Sequence, residues 1–247
     1  MTNQFVDADS VAWKDLYKVG GLAALIVPLL IMSEMALSVA YPQPTTVVGW
    51  FALLHGNAII GVLDFWGWEV PMYVMFAMIF LALYVVLRRA NEGRMAVAVV
   101  LGLLGVGIFL ATTNPISMLS LSNQYAAATT DAQKSLFLSA GQAILTNTNQ
   151  RALWGFNLGL FLVSMAGLMM SSVMLQSDSF GRSTAYLGTL GNALSLADYI
   201  REVLAPPEII ALLVILSGAL FLMIWLVSVG RRLWQLGCMV ERKTGVN

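Results

Sequence analysis

Along this chain, apolar residues come in long blocks and charged residues gather between them. Four runs carry no charge at all: Val70 to Leu87, Met95 to Thr130, Ala152 to Ser177 and Ile209 to Gly230. Each supplies the roughly 20 apolar residues that cross a hydrocarbon core of about 30 Å as a helix. A further block, Val19 to Ala40, is broken in charge only by Glu34, and Pro42 and Pro44 end it by forcing the chain into an extended turn. A β-barrel would show short alternating segments instead. The pattern predicts an all-α, polytopic transmembrane bundle forming a single membrane domain over 1–247. Its six spans lie at about 19–40, 70–87, 95–113, 152–175, 184–203 and 208–229. The fifth, AYLGTLGNALSLADYI, is rich in small residues and is expected inside the bundle, touching neighbours more than lipid.

Residues 47–63 are apolar yet short, about 26 Å as a helix, barely enough to cross. Lys and Arg decide their placement, because cytoplasmic loops retain them. If 47–63 does not cross and the N-terminus is inside, Lys14, Lys18, Arg88, Arg89, Arg94, Arg182, Arg231, Arg232, Arg242 and Lys243 are all cytoplasmic. Only Lys134, Arg151 and Arg201 then lie outside, ten against three; if it does cross, the split falls to eight against five. The first arrangement is preferred, with both termini cytoplasmic in a bacterial inner membrane and 47–63 an interfacial or re-entrant helix on the outer face. Trp50, Trp66, Trp68 and Trp154 then fall at the outer interface, and Trp13 and Trp234 at the inner one.

The long outer connection, 114–150, carries its own helix signal. Thr130 and Gln133 form a capping box with Asp131 in the first turn, and Phe137, Ala140, Gly141, Ile144 and Leu145 recur at helical spacing. An amphipathic outer helix over 131–145 is expected to lie against the outer ends of the spans, as a packed connector rather than a lid.

Composition narrows the function. Charged residues make up 11% of the chain and hydrophobic residues 59%, against about 25% charged in a soluble domain. The formal net charge is zero, so nucleic acid is not an implied partner. One cysteine, Cys238, excludes an intrachain disulfide and any multi-cysteine metal site, and no metal is expected. The first 21 residues are mixed in charge and read as a retained tail rather than a signal peptide.

The run NQYAAATTDAQKSLFLSAGQAIL (123–145), a glycine-bearing span, and then SSVMLQSDSFGRSTAYLGTLGNAL (171–194) resemble a bacterial family of six-span membrane proteins known as a domain of unknown function. The likeness covers residues 15 to 235. It implies six spans with an outer helical loop and carries over no functional residue.

Glu34 is the most informative side chain, because a carboxylate at a span's centre costs about 2.5–3.5 kcal/mol and less toward its ends. Counted back from Ala40, it lies about 9 Å below the outer edge. Asn157 and Asp198, on the fourth and fifth spans, reach a similar depth, and Asn192 lies deeper. One reading is an outward-facing polar pocket for a cation, a proton or a small polar solute. The other is structural: Asp198 pairs with Arg201 at i,i+3, and Glu34 pairs with Arg151 or Arg201 or bonds Asn157.

His55, Asn57 and Asp64 mark the outer-face segment. Trp50, Asn57 and Asp64 repeat every seven residues and would share a stripe on one helix, whereas His55 lies about 200° from Asn57. With one histidine a bis-histidine haem is impossible. A His–Met haem, given fourteen methionines, or a single tetrapyrrole on His55 is the cofactor reading, but a histidine bonded to backbone or headgroup explains it without a cofactor, and none is expected. Gly155 with Gly159, and Gly191 with Ser195, are small-xxx-small pairs that let helices approach closely, within the monomer in preference to a homo-oligomer. Nucleophile elbows, zinc-protease, Walker A and dinucleotide motifs are all missing. The reading therefore favours a non-catalytic membrane protein, an accessory subunit with a protein partner or a binder of a small or lipidic ligand. A small-solute or ion-coupled carrier using Glu34, Asn157 and Asp198 is the alternative, and a membrane enzyme the second alternative.

Overall fold

The computed structural model describes residues 12–41, 43–150, 158–204 and 207–244; at 38, 66, 147–150, 198–204, 208, 211, 243 and 244 it describes the backbone alone. Every regular element among these residues is helical. In chain order they are α1 (Lys14–Ala40), α2 (Val47–Gly56), α3 (Ala58–Val62), a π-helical turn (Leu63–Gly67), α4 (Glu69–Leu87), α5 (Glu92–Thr112), α6 (Pro115–Ala127), α7 (Asp131–Gln150), α8 (Leu158–Met174), α9 (Arg182–Leu204) and α10 (Glu208–Thr244). Four stretches among the described residues are long and apolar enough to cross a membrane: Lys14–Leu37, Glu69–Leu87, Glu92–Ala127 and Leu212–Arg242. α8 is apolar but shorter, and α9, with its Gly, Ser and Thr content, is long but weakly apolar.

Six helices, α1, α4, α5, α8, α9 and α10, close into a ring. α1 packs on α4, α4 on α5, α5 on α8, α8 on α9, α9 on α10, and α10 returns to α1. Small residues set the seams. Gly21 on α1 meets the backbone at Gly230 on α10, Gly105 on α5 meets Gly159 on α8, and Gly191 on α9 meets Leu222 on α10. Gly159 and Gly191 thus lie at contacts within the chain, while Gly155, the other half of the first pair, lies outside the described residues. The ring's interior is filled by Ile79, Phe80, Leu83, Met170, Trp225 and Leu226, among others. Its outside is apolar too: Leu29, Met32, Val100, Leu104, Ile209 and Leu213 are each more than half exposed. A belt of that kind is the surface of a membrane protein, where lipid covers it.

Neighbouring helices run in opposite directions, so the ring has two poles. Lys18 near the start of α1 pairs with Glu241 near the end of α10. Gly20 on α1 lies against Ala82, late in α4. Arg232 Nε donates to the Ser179 carbonyl, 2.7 Å away, tying α10 to the α8–α9 turn. These contacts gather Lys14, Lys18, Arg88, Arg89, Arg94, Arg182, Arg231, Arg232 and Arg242 at one pole.

The opposite pole carries a cap with its own apolar core. Trp50, Phe51 and Leu54 of α2 pack with Phe65, with Met118 of α6 and with Leu145 of α7. Ser122 Oγ donates to the Phe51 carbonyl at 2.8 Å and ties α6 to α2. The expected amphipathic stripe is the packed one, since Gly141 lies against Val47 and Phe51 and Leu145 is buried. Thr130 Oγ1 accepts from Gln133 N–H at 3.3 Å, and Gln133 Oε1 accepts from Thr129 N–H at 3.2 Å, so the box closes one residue early. α7 runs on to Gln150, past the expected end at 145. α6 was not foreseen; Asn114 caps it by accepting from Ser117 N–H at 3.0 Å, with Pro115 at its first position.

Residues 47–63 differ from the single helix expected. Asn57 is extended (φ −147, ψ 90), ends α2, and caps α3 by accepting from Ile60 N–H at 3.1 Å. Gly56 weakens the helix just where asparagine prefers to cap. Trp50, Asn57 and Asp64 therefore do not form one stripe. α2 has ten residues, about 15 Å of helix. The 41–68 segment leaves α1 and enters α4 at the same pole, with Gln43 Nε2 donating to the Asp64 carbonyl across its base at 3.2 Å.

Candidate functional site

Helical periodicity puts Glu69, Met72, Tyr73, Phe76 and Phe80 on one face of α4, turned into the ring. There they line a cavity of about 170 Å³ shared with α1, α8, α9 and α10. Its polar groups are Glu34 from α1, Glu69 and Tyr73 from α4, Ser164 from α8, and Asn192 and Ser195 from α9. Phe80, Leu222 and Trp225 close its apolar side. From Glu69 to Phe80 the wall extends about 16 Å down the helix, so the carboxylates lie toward the cap and the aromatic floor toward mid-bundle.

The deep wall is tightly set. Asn192 Nδ2 donates to the Gly188 carbonyl at 2.8 Å, and the Asn192 amide lies directly on Gly167, where even a Cβ would collide with it. Ser171 Oγ donates to the Gly167 carbonyl at 2.8 Å, and Ser195 Oγ to the Gly191 carbonyl at 3.0 Å. The Tyr73 ring stacks on Phe109 of α5 at 3.5 Å, which fixes its plane. Trp225 is 1% exposed, and its indole N–H has no hydrogen-bond partner among the described residues. That is a costly state for a buried donor. No Lys, Arg or His lines the cavity among the described residues.

The cavity brings together two of the residues singled out from sequence, Glu34 and Asn192. Asn157 and Arg151 lie outside the described residues. Asp198 and Arg201 have their backbone in α9, with side chains outside the description. His55 and Asn57 are exposed on the cap and Asp64 is buried within it, all three away from the cavity lining. Glu69 is the residue that sequence reading missed. It stands one position before a charge-free run and reads as the last residue of a loop. The signal that could have found it is the face it shares with Tyr73, Phe76 and Phe80.

Asp64 has chemistry of its own. It is 5% exposed on the π-helical turn. Oδ1 accepts from Gln43 Nε2 at 3.3 Å, while Oδ2 is buried with no partner among the described residues. Burial pushes its carboxyl above the usual carboxylate range, and the Gln43 hydrogen bond offsets part of that. A raised folded-state pKa means the folded protein holds the proton more tightly than the unfolded chain. Its stabilising contribution is therefore full below the ordinary value of about 3.9 and is lost as pH rises through the raised value. Asp64→Asn, which keeps an acceptor for Gln43, is expected to raise the melting temperature at pH 8 and leave it nearly unchanged at pH 4. Thermal melts in mild detergent at the two pH values check this; an equal shift at both would rule it out.

A family model of a domain of unknown function (DUF4386) matches residues 19–230, and the chain belongs to that family. No curated protein and no solved structure matches it.

Proposed function

We propose that this member of the DUF4386 family crosses a bacterial cytoplasmic membrane six times and holds a small ligand in the cavity of its helical ring, as a binding protein or accessory subunit without catalysis of its own. The ring supports six crossings. α8 and α9 alternate in direction with their neighbours as the four longer apolar stretches do, and weakly apolar α9 is packed between α8 and α10. The basic pole supports the orientation: it faces the cytoplasm and the cap faces outside, by the excess of Lys and Arg that cytoplasmic loops keep.

One observation carries the binding reading. Polar groups from four helices converge on a single mostly apolar cavity, which is the usual composition of a small-molecule site. Intramembrane carboxylates are expensive to place and mark function by default. A carrier remains the second reading, because Glu34 and Glu69 sit on different helices, α1 and α4, whose separation would open the cavity.

Ser164→Phe fills the cavity from α8 and tests the reading. Protein purified in mild detergent is expected to retain a small molecule, seen by mass spectrometry of its organic extract. The filled variant should retain at least ten-fold less of it while eluting as the same monodisperse species. Identical extracts would count against a ligand site. Uptake into vesicles by the wild type, abolished by Ser164→Phe, would decide for the carrier.

A further inference from the structure

We infer that the cavity is filled from the side: the seam between α1 and α10 is open in its half nearer the cap, and through it the site takes the hydrocarbon chain of an amphiphile from the surrounding leaflet. This rests on the binding reading above.

The seam comes first. α1 and α10 run antiparallel, and in the half nearer the basic pole they are closely packed. Lys18 lies on Gly237, Gly21 on Trp234 and Leu25 on Gly230. Steps of three and four residues carry the same stripe onward, to Met32, Met35 and Val39 of α1 and to Met223, Leu220 and Leu216 of α10. Were the seam closed throughout, Met35 would face Leu220 and Val39 would face Leu216, and each would be covered. Instead Met32 is 60% exposed, Val39 84%, Leu220 53% and Leu216 45%.

Two features account for the change. Pro28 lies inside α1 where the packed half ends. It has no N–H for the Ala24 carbonyl, and helices bend at such positions. Beyond it, Gly218 holds α10 against Leu194 and Ser195 of α9 instead.

The open stripe borders the cavity on both helices. Ile31 and Glu34 of the cavity wall stand one residue before Met32 and Met35, and Leu222 one before Met223. A chain that enters between the two stripes therefore arrives at Ile31 and Leu222.

The chemistry of this entrance selects the occupant. Met32, Met35, Leu216 and Leu220 lie in stretches apolar enough to cross a membrane, so the medium outside them is hydrocarbon. None of the six stripe residues can replace the hydration of an ionic solute, and shedding that hydration is costly. Three of them are methionines, whose flexible side chains fit varied apolar shapes. Inside, Met72, Phe76, Leu160 and Val163 give a chain an apolar bed. A cavity of about 150 Å³ accommodates benzene, so one of about 170 Å³ holds about six carbons. That is the end of a chain, with the rest of the amphiphile left in the seam and the leaflet.

The test uses full-length protein in phosphatidylcholine vesicles doped with a phosphatidylcholine that carries a diazirine at the end of one acyl chain. After irradiation, mass spectrometry of the digest locates the adducts. They are expected on Met72, Phe76 or Val163, which are buried in the cavity wall, as well as on the lipid-facing Val100 and Leu104 of α5. Met35→Trp with Leu220→Trp plugs the seam at two exposed positions. The pair should cut wall adducts at least ten-fold while sparing those on α5. Ser164→Phe should do the same from within.

Wall adducts that persist in the tryptophan pair would place the entrance elsewhere and overturn the seam. No wall adducts in the wild type, with α5 labelled and a small molecule still retained on purification, would mean that the ligand comes from water. The lateral inference then falls and the binding reading survives. Adducts on α5 but none at Met32, Met35, Leu216 or Leu220 would show a second copy of the chain closing the seam, which overturns it too. No wall adducts, together with extracts unchanged by Ser164→Phe, would remove both inferences.

Discussion

Gly105→Leu is expected to prevent folded protein from accumulating, while Gly107→Leu, two residues along the same helix, leaves yield and melting temperature nearly unchanged. Gly105 sits at the crossing of α5 and α8. A Cβ there would lie 2.7 Å from the Gly159 carbonyl oxygen and 3.0 Å from the Val163 nitrogen. From the other side, a Cβ at Gly159 would lie 2.9 Å from the Gly105 carbonyl and 3.1 Å from the Phe109 nitrogen. These neighbours are main chain and cannot rotate aside, so the helices must part. Overpacking a well-filled core costs about 1–3 kcal/mol, occasionally more, and a leucine wedged between two backbones belongs at the upper end. Net stability is only about 5–15 kcal/mol. Parting α5 from α8 also disturbs Leu160, Val163 and Ser164, all on the cavity wall. At Gly107 a Cβ meets nothing within 4 Å, and replacing glycine in a helix is intrinsically favourable by about 1 kcal/mol. Fluorescence-detected size exclusion of the two variants makes the comparison. Equal loss in both would show that the crossing is not the tight seam described.

The long helices were legible because their signal is long: each is a block of apolar residues with punctuation, such as Pro42 and Pro44 after α1 or Asn91 before α5. Asn91 caps α5 by accepting from Arg94 N–H at 3.1 Å. The cap was legible only in part. Its α7 helix announces itself through Thr130, Gln133 and the stripe ending at Leu145. α6, by contrast, continues a charge-free run that began at Met95, so hydropathy showed no boundary there. Only Asn114–Pro115 marks the break, as a cap followed by a helix-starting proline. The break at Asn57 was hidden for the opposite reason: a seven-residue repeat invited a continuous helix through a glycine–asparagine pair.

The site was legible as a suspicion about Glu34 and no further. Depth counting placed Glu34 with Asn157 and Asp198 on level alone. Which side chains meet depends on how each helix is rotated, and level says nothing about rotation. Rotation turned Asn192, counted as deeper, into the same cavity as Glu34, because the slot extends down the bundle instead of lying in one plane. Glu69 entered with it because α4 begins directly from the π-helical turn, which sets the phase of its inward face.

The proposed orientation, with the cap outside and the basic pole in the cytoplasm, depends on one claim: residues 41–68 and the α6–α7 connection share a pole, opposite the basic one. Labelling in intact cells tests it directly. In a Cys238→Ser background, single cysteines are placed at Gly56 on the cap, at Ser135 on α7, and at Gly93 beside Arg94. A Cβ at Gly56 or Gly93 meets nothing within 4 Å, and Ser135 is exposed, so none should disturb the fold. A membrane-impermeant maleimide is expected to modify Gly56→Cys and Ser135→Cys in intact cells, and Gly93→Cys only after the membrane is opened. Modification of Gly93→Cys in intact cells would invert the protein. Gly56→Cys and Ser135→Cys reacting from opposite sides would break the shared pole, and with it the proposed orientation.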